Sequence, residues 1–338
     1  MKAVIYEGPQ QMNVRQTVNP IPTEDEVLIR VVYSGICGSE LSGYLGHNSL
    51  RTPPMIFGHE FSGIVAQMGE KAARAYPHLR PGTRVTANPL ITCGQCQACL
   101  SGNQQLCSVR QLLSASLPGS NAEYVKIPAR FVYPLEEHVT FEQGAFVEPL
   151  ACGVRVAEAA RLKPDHRVMI IGMGPIGLFA MQAVQAHGVK EIVAVDRNPQ
   201  RLEMAAELGA IPLHPTEEHI KGRVGANGFD VVIDAVGAAA TRSMAVECVG
   251  FGGKVIWTGL HEAESQLPIN MMIRKEISCI GTFAYSASNF QTALQWIADG
   301  RIRIKDEWVV KAPFEQASEW YSKLVSNPGN VAKVLLHP

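Results

Sequence analysis

The sequence predicts a two-domain α/β protein in which a doubly wound parallel sheet follows an irregular β domain. The first part of the chain is a series of short β-rich runs separated by Gly, Pro and polar clusters, a pattern typical of irregular antiparallel structure. From Cys152 onward, apolar strands and helical segments alternate, which indicates a parallel sheet with helices on both faces. A loop with four closely spaced cysteines, Cys93 to Cys107, lies in the β part.

Individual elements can be placed from their patterns. In the β part, the predicted strands are VLIRVVYSG (27–35), EFSGIVAQM (60–68), RVTANP (84–89) and AEYVKIP (122–128). In the alternating part, the predicted strands are 167–172, 191–196, 229–237, 253–260 and 276–283. The predicted helix that starts at Asn198 has Pro199 in its first turn and Gly209 at its end. Two helices and two strands follow residue 285, and the pattern leaves open which domain they join.

Length and composition describe an ordinary globular protein. The chain has 338 residues, of which 46% are hydrophobic and 18% charged, with a net charge of -1; this length favours two domains. Because there is no basic excess, we expect no nucleic-acid partner. The opening residues, MKAVIYEG, show no secretory h-region, so a cytoplasmic location is expected. The other cysteines are scattered, as in a reducing compartment: Cys37, Cys152, Cys248 and Cys279.

One apolar stretch, residues 168–186, carries no charge and is nearly long enough to span a bilayer. Gly172, Gly174, Pro175 and Gly177 interrupt it. A strand, a tight turn and a buried helix explain this composition better than a membrane span does. We therefore expect no membrane partner.

The four clustered cysteines predict a structural zinc site. Cys93, Cys96, Cys99 and Cys107 form a C-x2-C-x2-C-x7-C pattern, and thiolates at two-residue gaps on a turning backbone converge on one tetrahedral ion. Because four cysteines leave no open coordination position, such a metal stabilises a lobe and takes no part in chemistry. Two neighbouring disulfides or free thiols are the alternatives.

A dinucleotide-binding fingerprint follows the first strand of the alternating part. Gly172, Gly174 and Gly177 form G-x-G-x-x-G between an apolar strand and a helix, which is the context that the motif requires. The glycines allow a tight turn, close approach of a pyrophosphate and close helix–strand packing, and the helix begins with Pro175 and Ile176. A glycine turn that binds nothing is the alternative.

Asp196 sets the predicted cofactor preference. It ends the next strand, nineteen residues after Gly177, where a carboxylate accepts hydrogen bonds from the ribose hydroxyls and repels a 2′-phosphate. This position favours NAD over NADP. The neighbouring Arg197 leaves an alternative open, because it can pair with a 2′-phosphate or cover the adenine.

Three further segments predict a second metal site. Cys37 lies in SGICGSE, His59 and Glu60 lie in FGHEFSG, and Glu148 lies in FVEPLACG. Together they offer a thiolate, an imidazole and carboxylates, and three protein ligands with a vacancy are typical of catalytic zinc. Each segment alone is weak, because a lone His beside Glu is usually a surface pair and a lone Cys usually belongs to a core.

Taken together, these motifs resemble those of the zinc-containing medium-chain dehydrogenase/reductase family, over the whole chain. The matching motifs are GICGSE, GHEFSG, the Cys93–Cys107 quartet, EPLACG and GMGPIG with Asp196. The glutamate of EPLACG and the aspartate are similar to those of the polyol branch, the sorbitol and galactitol-phosphate dehydrogenases. The resemblance implies a GroES-like catalytic domain over 1–151, to which 286–338 returns, a Rossmann dinucleotide-binding domain over 152–285, and a homodimer or homotetramer.

The resemblance also assigns roles to single residues. It implies that Cys37 and His59 are fixed ligands of a catalytic zinc, with Glu60 and Glu148 as candidates for the third position. Ser39 matches the hydroxyl that takes the substrate proton.

The chain departs from the family pattern at Glu40, at Ser42 and at PGSNAEYV (118–125), where a Gly-rich turn is usual before the strand. Glu40 stands where an aspartate is more usual, and it would orient His59. The histidine that often follows the zinc cysteine by five residues is Ser42 here. His47 is a candidate substitute, and an exposed loop histidine is the alternative.

Further expectations concern the cofactor and the substrate pocket. Contacts with the nicotinamide ribose are expected at strand ends, where open α/β sheets bind ligands: Val236, Gly237, Thr258, Gly259 and Leu260. Lys333 resembles the late basic residue that reaches the pyrophosphate, and a plain strand-edge lysine is the alternative. The candidate pocket residues are Arg51, Tyr44, Phe57 and Phe283.

The predicted function is hydride transfer between NAD and a secondary alcohol or its ketone, with one catalytic and one structural zinc per chain. A polyol, a sugar alcohol or its phosphate is the expected substrate. A threonine-dehydrogenase-like enzyme with an amino-alcohol substrate is the alternative. A silent NAD-binding protein and a zinc-free reductase are disfavoured, because all five candidate catalytic residues are present: Cys37, Ser39, His59, Glu60 and Glu148.

Overall fold

The structure, a computed structural model, describes the backbone of residues 1–338 and every side chain except those of Glu217, His219 and Lys221. The chain forms two compact units. The first consists of Met1–Glu148 and Ser286–Pro338, and the second consists of Pro149–Tyr285. The first unit is therefore discontinuous, and the C-terminal segment belongs to it.

The first unit is built mainly of antiparallel strands, which confirms the predicted irregular β domain. Before the second unit its strands are β1 (Lys2–Gly8), β2 (Gln11–Gln16), β3 (Glu26–Gly35), β4 (Met55–Ile56), β5 (Glu60–Met68), β6 (Arg84–Ala87), β7 (Leu90–Ile91), β8 (Gln111–Leu112), β9 (Tyr124–Pro128) and β10 (Val132–Pro134). Its helices there are α1 (Gly38–Tyr44), α2 (Glu70–Ala75), α3 (Gln97–Leu100) and α4 (Phe141–Ala145), with 3-10 turns at Gln104–Leu106 and Ala129–Phe131.

The second unit alternates strands and helices. Its strands are β11 (Arg167–Ile171), β12 (Glu191–Val195), β13 (Ile211–Leu213), β14 (Phe229–Asp234), β15 (Val249–Trp257) and β16 (Ser278–Gly281). Its helices are α5 (Val147–Ala160), which leads into it, α6 (Pro175–Ala186), α7 (Pro199–Glu207), α8 (Glu217–Val224), α9 (Ala239–Cys248) and α10 (Ile269–Arg274).

The strands of the second unit form one parallel sheet, in the order β13-β12-β11-β14-β15-β16. This confirms the doubly wound sheet predicted from the sequence. The order reverses between β11 and β14, and such a switch point is where open α/β sheets bind ligands. The apolar stretch 168–186 divides into β11, the glycine turn and α6. Across the described residues, no helix combines the length and the hydropathy needed to cross a membrane.

The C-terminal segment completes the first unit. It contains α11 (Ala287–Ala298), β17 (Val309–Pro313), α12 (Ala317–Ser326) and β18 (Lys333–His337), with 3-10 turns at Asp306–Trp308 and Phe314–Gln316. β17 and β18 are parallel to each other, and β18 is antiparallel to β3. The result is a seven-stranded sheet in the order β10-β6-β5-β3-β18-β17, with β9 also paired to β3.

The central strand β3 brings the predicted metal-site segments together. Its buried side chains belong to the core of the unit, including Val27 and Ile29. β5 runs antiparallel to β3, so Glu60 at the start of β5 lies opposite Gly35 at the end of β3. On the other side of β3, Leu335 of β18 also lies opposite Gly35. Three segments that are distant in sequence therefore meet just before Cys37.

Candidate metal centres and dinucleotide site

The four clustered cysteines converge in the loop between β7 and β8, around the short helix α3. The Sγ atom of Cys93 lies 3.9 Å from that of Cys99 and 3.6 Å from that of Cys107. All four sulfur atoms, including that of Cys96, lie within 4.8 Å of one another. A tetrahedral zinc with Zn–S bonds of about 2.3 Å needs sulfur atoms about 3.8 Å apart. The geometry therefore fits a zinc ion.

The backbone of this loop favours the thiolate at Cys93. The N–H groups of Gln95 and Cys96 donate to its sulfur and lower the pKa of Cys93 to about 6. Since zinc binds the thiolate and not the thiol, Cys93 is suited to a metal, whereas burial raises the pKa of Cys99 to about 11. The eight cysteines of the chain are all free, so the structure shows no disulfide pairing in this loop.

A second set of ligand atoms lies where β3, α1 and β5 meet. The Sγ atom of Cys37, a ring nitrogen of His59 and a carboxylate oxygen of Glu60 lie within 4.8 Å of one another. His59 and Glu60 are buried, and Cys37 is partly buried. A Cβ atom at Gly35 would lie 2.4 Å from Oε2 of Glu60, so the glycine gives this carboxylate room. A thiolate, an imidazole and a carboxylate form a ligand set that zinc accepts.

Glu40 fixes the orientation of His59. Its Oε1 atom accepts a hydrogen bond from Nδ1 of His59 at 2.7 Å. Its carboxylate also accepts bonds from Gly58 N at 2.8 Å, Ser114 Oγ at 2.7 Å and Tyr321 OH at 3.2 Å. Although burial opposes it, His59 lowers the pKa of the Glu40 carboxyl to about 2. With Nδ1 engaged by Glu40, the Nε2 atom of His59 is the one left for a metal.

Lys333 pairs with Glu60 inside this cluster. Its Nζ atom lies 2.6 and 2.8 Å from the two carboxylate oxygens and donates to the carbonyl of Ile36 at 3.2 Å. Burial alone would lower the pKa of Lys333, but the charge of Glu60 raises it. Because the ammonium group is buried and committed to Glu60, this geometry gives no support to the expected contact with a cofactor pyrophosphate.

Glu148 lies beside the cluster. It stands in the first turn of α5 and is buried. Its charge also raises the pKa of Lys333, so it is close to the Lys333–Glu60 pair. The ligand atoms grouped within 4.8 Å come from Cys37, His59 and Glu60. Glu60 is thus the carboxylate that lies with Cys37 and His59. Glu148 as the third zinc ligand stays a prediction.

Ser39 lies next to the cysteine of this site. Its hydroxyl donates to Sγ of Cys37 at 3.4 Å and accepts a hydrogen bond from Nη2 of Arg51 at 3.0 Å. The side chains of Ser42 and His47 make no hydrogen bond to the Ser39 hydroxyl within the described part of the chain, and His47 is exposed. The alternative for His47, an exposed loop histidine, matches what the structure shows.

Two of the candidate pocket residues are core residues. Tyr44 and Phe57 are 5% and 0% exposed, and both rings pack against Tyr321. Expecting them to line the pocket was wrong, because their aromatic faces are used by the core of the first unit. Phe283 and Leu260, in the second unit, are 41% and 79% exposed.

The glycine fingerprint forms the turn between β11 and α6. Gly172 has a φ of +93°, a conformation that favours glycine. A Cβ atom at Gly177 would lie 1.8 Å from the carbonyl oxygen of Gly172, so only glycine lets the helix pack this close to the strand. At Gly174, the N-cap of α6, the nearest atom to such a Cβ is Nη1 of Arg201, 3.8 Å away. The backbone of Gly174 is therefore open to a ligand.

Asp196 lies at this same turn. Its Oδ2 atom accepts a hydrogen bond from Met173 N at 2.7 Å, and its Oδ1 atom accepts one from Asn198 N at 2.8 Å. Arg197 beside it is exposed. The basic residue next to the glycine turn is instead Arg201 of α7, which the sequence reasoning did not single out.

Asp234 connects the other two segments predicted to contact the cofactor. Its Oδ1 atom accepts hydrogen bonds from Val236 N at 2.9 Å and Gly237 N at 3.0 Å. Its carbonyl oxygen accepts bonds from Thr258 N at 3.1 Å and Gly259 N at 3.0 Å. Burial raises the pKa of Asp234. Both segments therefore lie side by side at the C-terminal ends of β14 and β15.

Comparison with known proteins identifies the family of the chain. Residues 23–137 match the family model of the alcohol dehydrogenase GroES-like domain, and residues 175–299 match that of zinc-binding dehydrogenase. Sorbitol dehydrogenase of Bacillus subtilis (strain 168) is 30% identical over 350 residues, which cover 100% of this chain and 97% of that protein. The chain belongs to the zinc-containing medium-chain alcohol and polyol dehydrogenase family. The resemblance stated from the motifs is confirmed.

Two solved structures extend the similarity over the whole of this zinc dehydrogenase. One is an Escherichia coli CFT073 protein described as a short chain alcohol dehydrogenase in complex with NADH. It is 26% identical with a TM-score of 0.91, and the match covers 100% of this chain and 99% of the other. The other is from Sinorhizobium meliloti 1021, is described as a candidate zinc-binding dehydrogenase and is bound to NADP. It has 29% identity and a TM-score of 0.90, with 100% and 99% coverage. The chain is therefore an oxidoreductase, and its two structural relatives were solved with NADH and with NADP.

In this zinc dehydrogenase, the sequence reasoning missed the groups that hold the metal-site side chains. Ser114 and Tyr321 hydrogen-bond to Glu40 from 74 and 281 residues away. Lys333 pairs with Glu60 across 273 residues. Nothing in a local sequence pattern connects such residues, because only the pairing of distant strands brings them together.

Proposed function

We propose that this zinc dehydrogenase uses NAD⁺ to oxidise a secondary alcohol of a polyol, a sugar alcohol or its phosphate, and reduces the corresponding ketone in reverse. The observation that carries the proposal is the convergence of Cys37, His59 and Glu60 beside the hydroxyl of Ser39. The similarity to a sorbitol dehydrogenase favours a polyol over the amino alcohol of a threonine dehydrogenase.

The first unit is proposed as the catalytic domain. When bound, a Zn²⁺ ion polarises the alcohol and lowers the pKa of its hydroxyl. Cys37 and His59 are the fixed ligands in this proposal, and Glu60 or Glu148 takes the third position. Ser39 is the group that takes the hydroxyl proton and releases its own proton outward, since its Oγ atom lies beside the cysteine ligand.

The second unit is proposed as the dinucleotide-binding domain. NAD⁺ held by this unit would supply the acceptor for the hydride of the alcohol carbon. The open backbone at Gly174 and the N-terminus of α6 suit a pyrophosphate. Asp196, held by Met173 N and Asn198 N, presents a carboxylate that suits ribose hydroxyls and repels a 2′-phosphate. NAD is therefore the proposed cofactor.

We also propose a cytoplasmic homo-oligomer, either a dimer or a tetramer. β16 is an edge strand of the parallel sheet. The second unit also exposes Phe251, Ile269 and Ile273 at 76%, 54% and 68%. An open strand edge and exposed apolar side chains suit contact with a second copy. Light scattering on the eluting protein tests this, and a monomer at micromolar concentration would contradict it.

Replacing Cys37 by alanine tests the catalytic zinc. In Cys37→Ala we expect the zinc content to fall from two ions per chain to one and polyol turnover to be lost. NAD⁺ binding should persist, because the glycine turn and Asp196 belong to the other unit. Cys279→Ala is the matched control: it removes a partly buried thiol of β16 and should keep both zinc ions. Full activity in Cys37→Ala would overturn the zinc mechanism.

A further inference from the structure

Arg51 is a buried arginine whose guanidinium group lies next to the proposed proton acceptor. It is 5% exposed, and its Nη2 atom donates to Oγ of Ser39 at 3.0 Å. Its guanidinium carbon lies 5.8 Å from the centre of the Phe57 ring. The Nε atom has no hydrogen-bond partner among the described residues. A Cβ atom at Gly43 of α1 would lie 2.4 Å from Cδ of Arg51, so the glycine keeps this space for the arginine.

The chemistry of the guanidinium group limits what Arg51 can do. It stays charged and only donates hydrogen bonds, so it cannot receive a proton from Ser39 as a histidine would. The hydrogen bond from Arg51 occupies one lone pair of the Ser39 oxygen. The hydroxyl hydrogen of Ser39 is donated to Sγ of Cys37, and a second lone pair stays available for the reacting hydroxyl. Arg51 therefore fixes where the oxygen of Ser39 stands without taking part in the proton transfer.

We propose that Arg51 is a positioning residue for the dehydrogenase reaction, an inference that rests on the proposed role of Ser39. It holds the Ser39 oxygen beside Cys37 and places a fixed positive charge next to it. Position 42, where the family often has a histidine that ends the proton relay, is a serine here, and the hydrogen bond to Ser39 comes from a residue nine positions further along the chain.

Arg51 is poorly placed to bind a substrate phosphate or carboxylate. Its side chain is enclosed by the Phe57 ring, by Gly43 and by Ser39, whereas an anion anchor needs an accessible guanidinium group. Loss of Arg51 should therefore lower kcat and leave KM nearly unchanged, for neutral polyols and for their phosphates alike.

A double-mutant cycle with Ser39 tests the positioning role. We expect Arg51→Met to lower kcat by about 100-fold, as misplaced reacting groups do. In a Ser39→Ala background the same change should cost less than about threefold, because coupled residues are not additive. Arg51→Lys should recover part of the loss, since an ammonium group still donates. Additive losses, or a loss confined to KM, would overturn the proposal.

Two further variants separate positioning from general damage. Gly43→Ala leaves Arg51 in the chain but intrudes on its Cδ atom, so it should reproduce the loss of kcat. Arg130→Met is the matched control: this arginine also lies over a ring, that of Phe131, and donates to the carbonyl of Thr92. It should leave kcat unchanged. If Gly43→Ala has normal kcat, the contact between Arg51 and Ser39 is not needed.

The cobalt-substituted protein gives a readout that does not depend on turnover. Ser39 donates to the Cys37 sulfur, so moving Ser39 should shift the cobalt–thiolate absorption band. We expect similar shifts in Arg51→Met and Ser39→Ala and no further shift in the double variant. If the variants show these shifts but the wild-type protein turns over no polyol, the proposed function is refuted and the positioning role is supported. An unchanged band in Arg51→Met would refute the positioning role.

Discussion

At the scale of single residues, Asp196 is the side chain proposed to set the cofactor preference. Its two oxygen atoms accept hydrogen bonds from Met173 N and Asn198 N, which aim the carboxylate at the glycine turn. The position could be predicted from the sequence, because an apolar strand followed by an acidic residue at a fixed distance from Gly177 is a local pattern. Its hydrogen-bond partners are local as well.

Replacing Asp196 by glycine should erode the preference for NAD⁺. Lost hydrogen bonds to a charged group cost about 1.5–3 kcal/mol, so we expect the ratio of kcat/KM for NAD⁺ to that for NADP⁺ to fall by about 10- to 100-fold. Asp196→Asn is a milder comparison, because it keeps one of the two acceptors for Met173 N and Asn198 N and loses the other together with the charge. Steady-state kinetics with both cofactors measures the ratio, and an unchanged ratio in Asp196→Gly contradicts the assigned role.

Other residues of the site could not be predicted, because their partners are distant. The pairing of Lys333 with Glu60 requires β18 to lie beside β3. The sequence shows Lys333 only as a basic residue at a strand edge, which suggested a cofactor contact. Tyr44 and Phe57 were misplaced for a similar reason: an aromatic residue beside a glycine-rich segment looks the same whether it faces a pocket or a core.

At the scale of elements, the cysteine loop between β7 and β8 has little apolar core of its own. Each of the two strands has two residues. Leu100 and Leu106, within the loop, are 73% and 58% exposed. Apolar burial therefore cannot hold this loop, whereas four converging thiolates can, provided that a metal is bound.

Removing one ligand of the cysteine loop should destabilise the first unit without abolishing the chemistry. In Cys99→Ser we expect one zinc ion per chain instead of two, and a melting temperature lower by about 5 °C or more, as for a loss of about 2 kcal/mol. The matched change Cys279→Ser should keep both ions. Metal analysis and calorimetry measure the two effects. Two ions in Cys99→Ser, or an unchanged melting temperature, would contradict a structural zinc.

At the scale of the whole molecule, the sequence predicts the fold class more readily than it predicts which segments belong to which of the two units. The alternation of strands and helices after Cys152 and the glycine fingerprint predicted the parallel sheet, since both are periodic or local signals. The membership of the C-terminal segment did not follow from its own pattern. It is decided by the pairing of β18 with β3, a contact between opposite ends of the chain, and only the family resemblance pointed to it.

The most direct test of a zinc- and NAD-dependent polyol dehydrogenase is reduction of NAD⁺, followed by absorbance, against polyols, sugar phosphates, diols and threonine. The assay is run with the zinc-loaded protein, after removal of zinc by a chelator, and after zinc is restored. We expect one polyol class to be turned over with NAD⁺ and poorly with NADP⁺, with activity lost on chelation and regained with Zn²⁺. Turnover that persists without zinc, or no turnover of any polyol by protein that binds zinc and NAD⁺, would contradict the account.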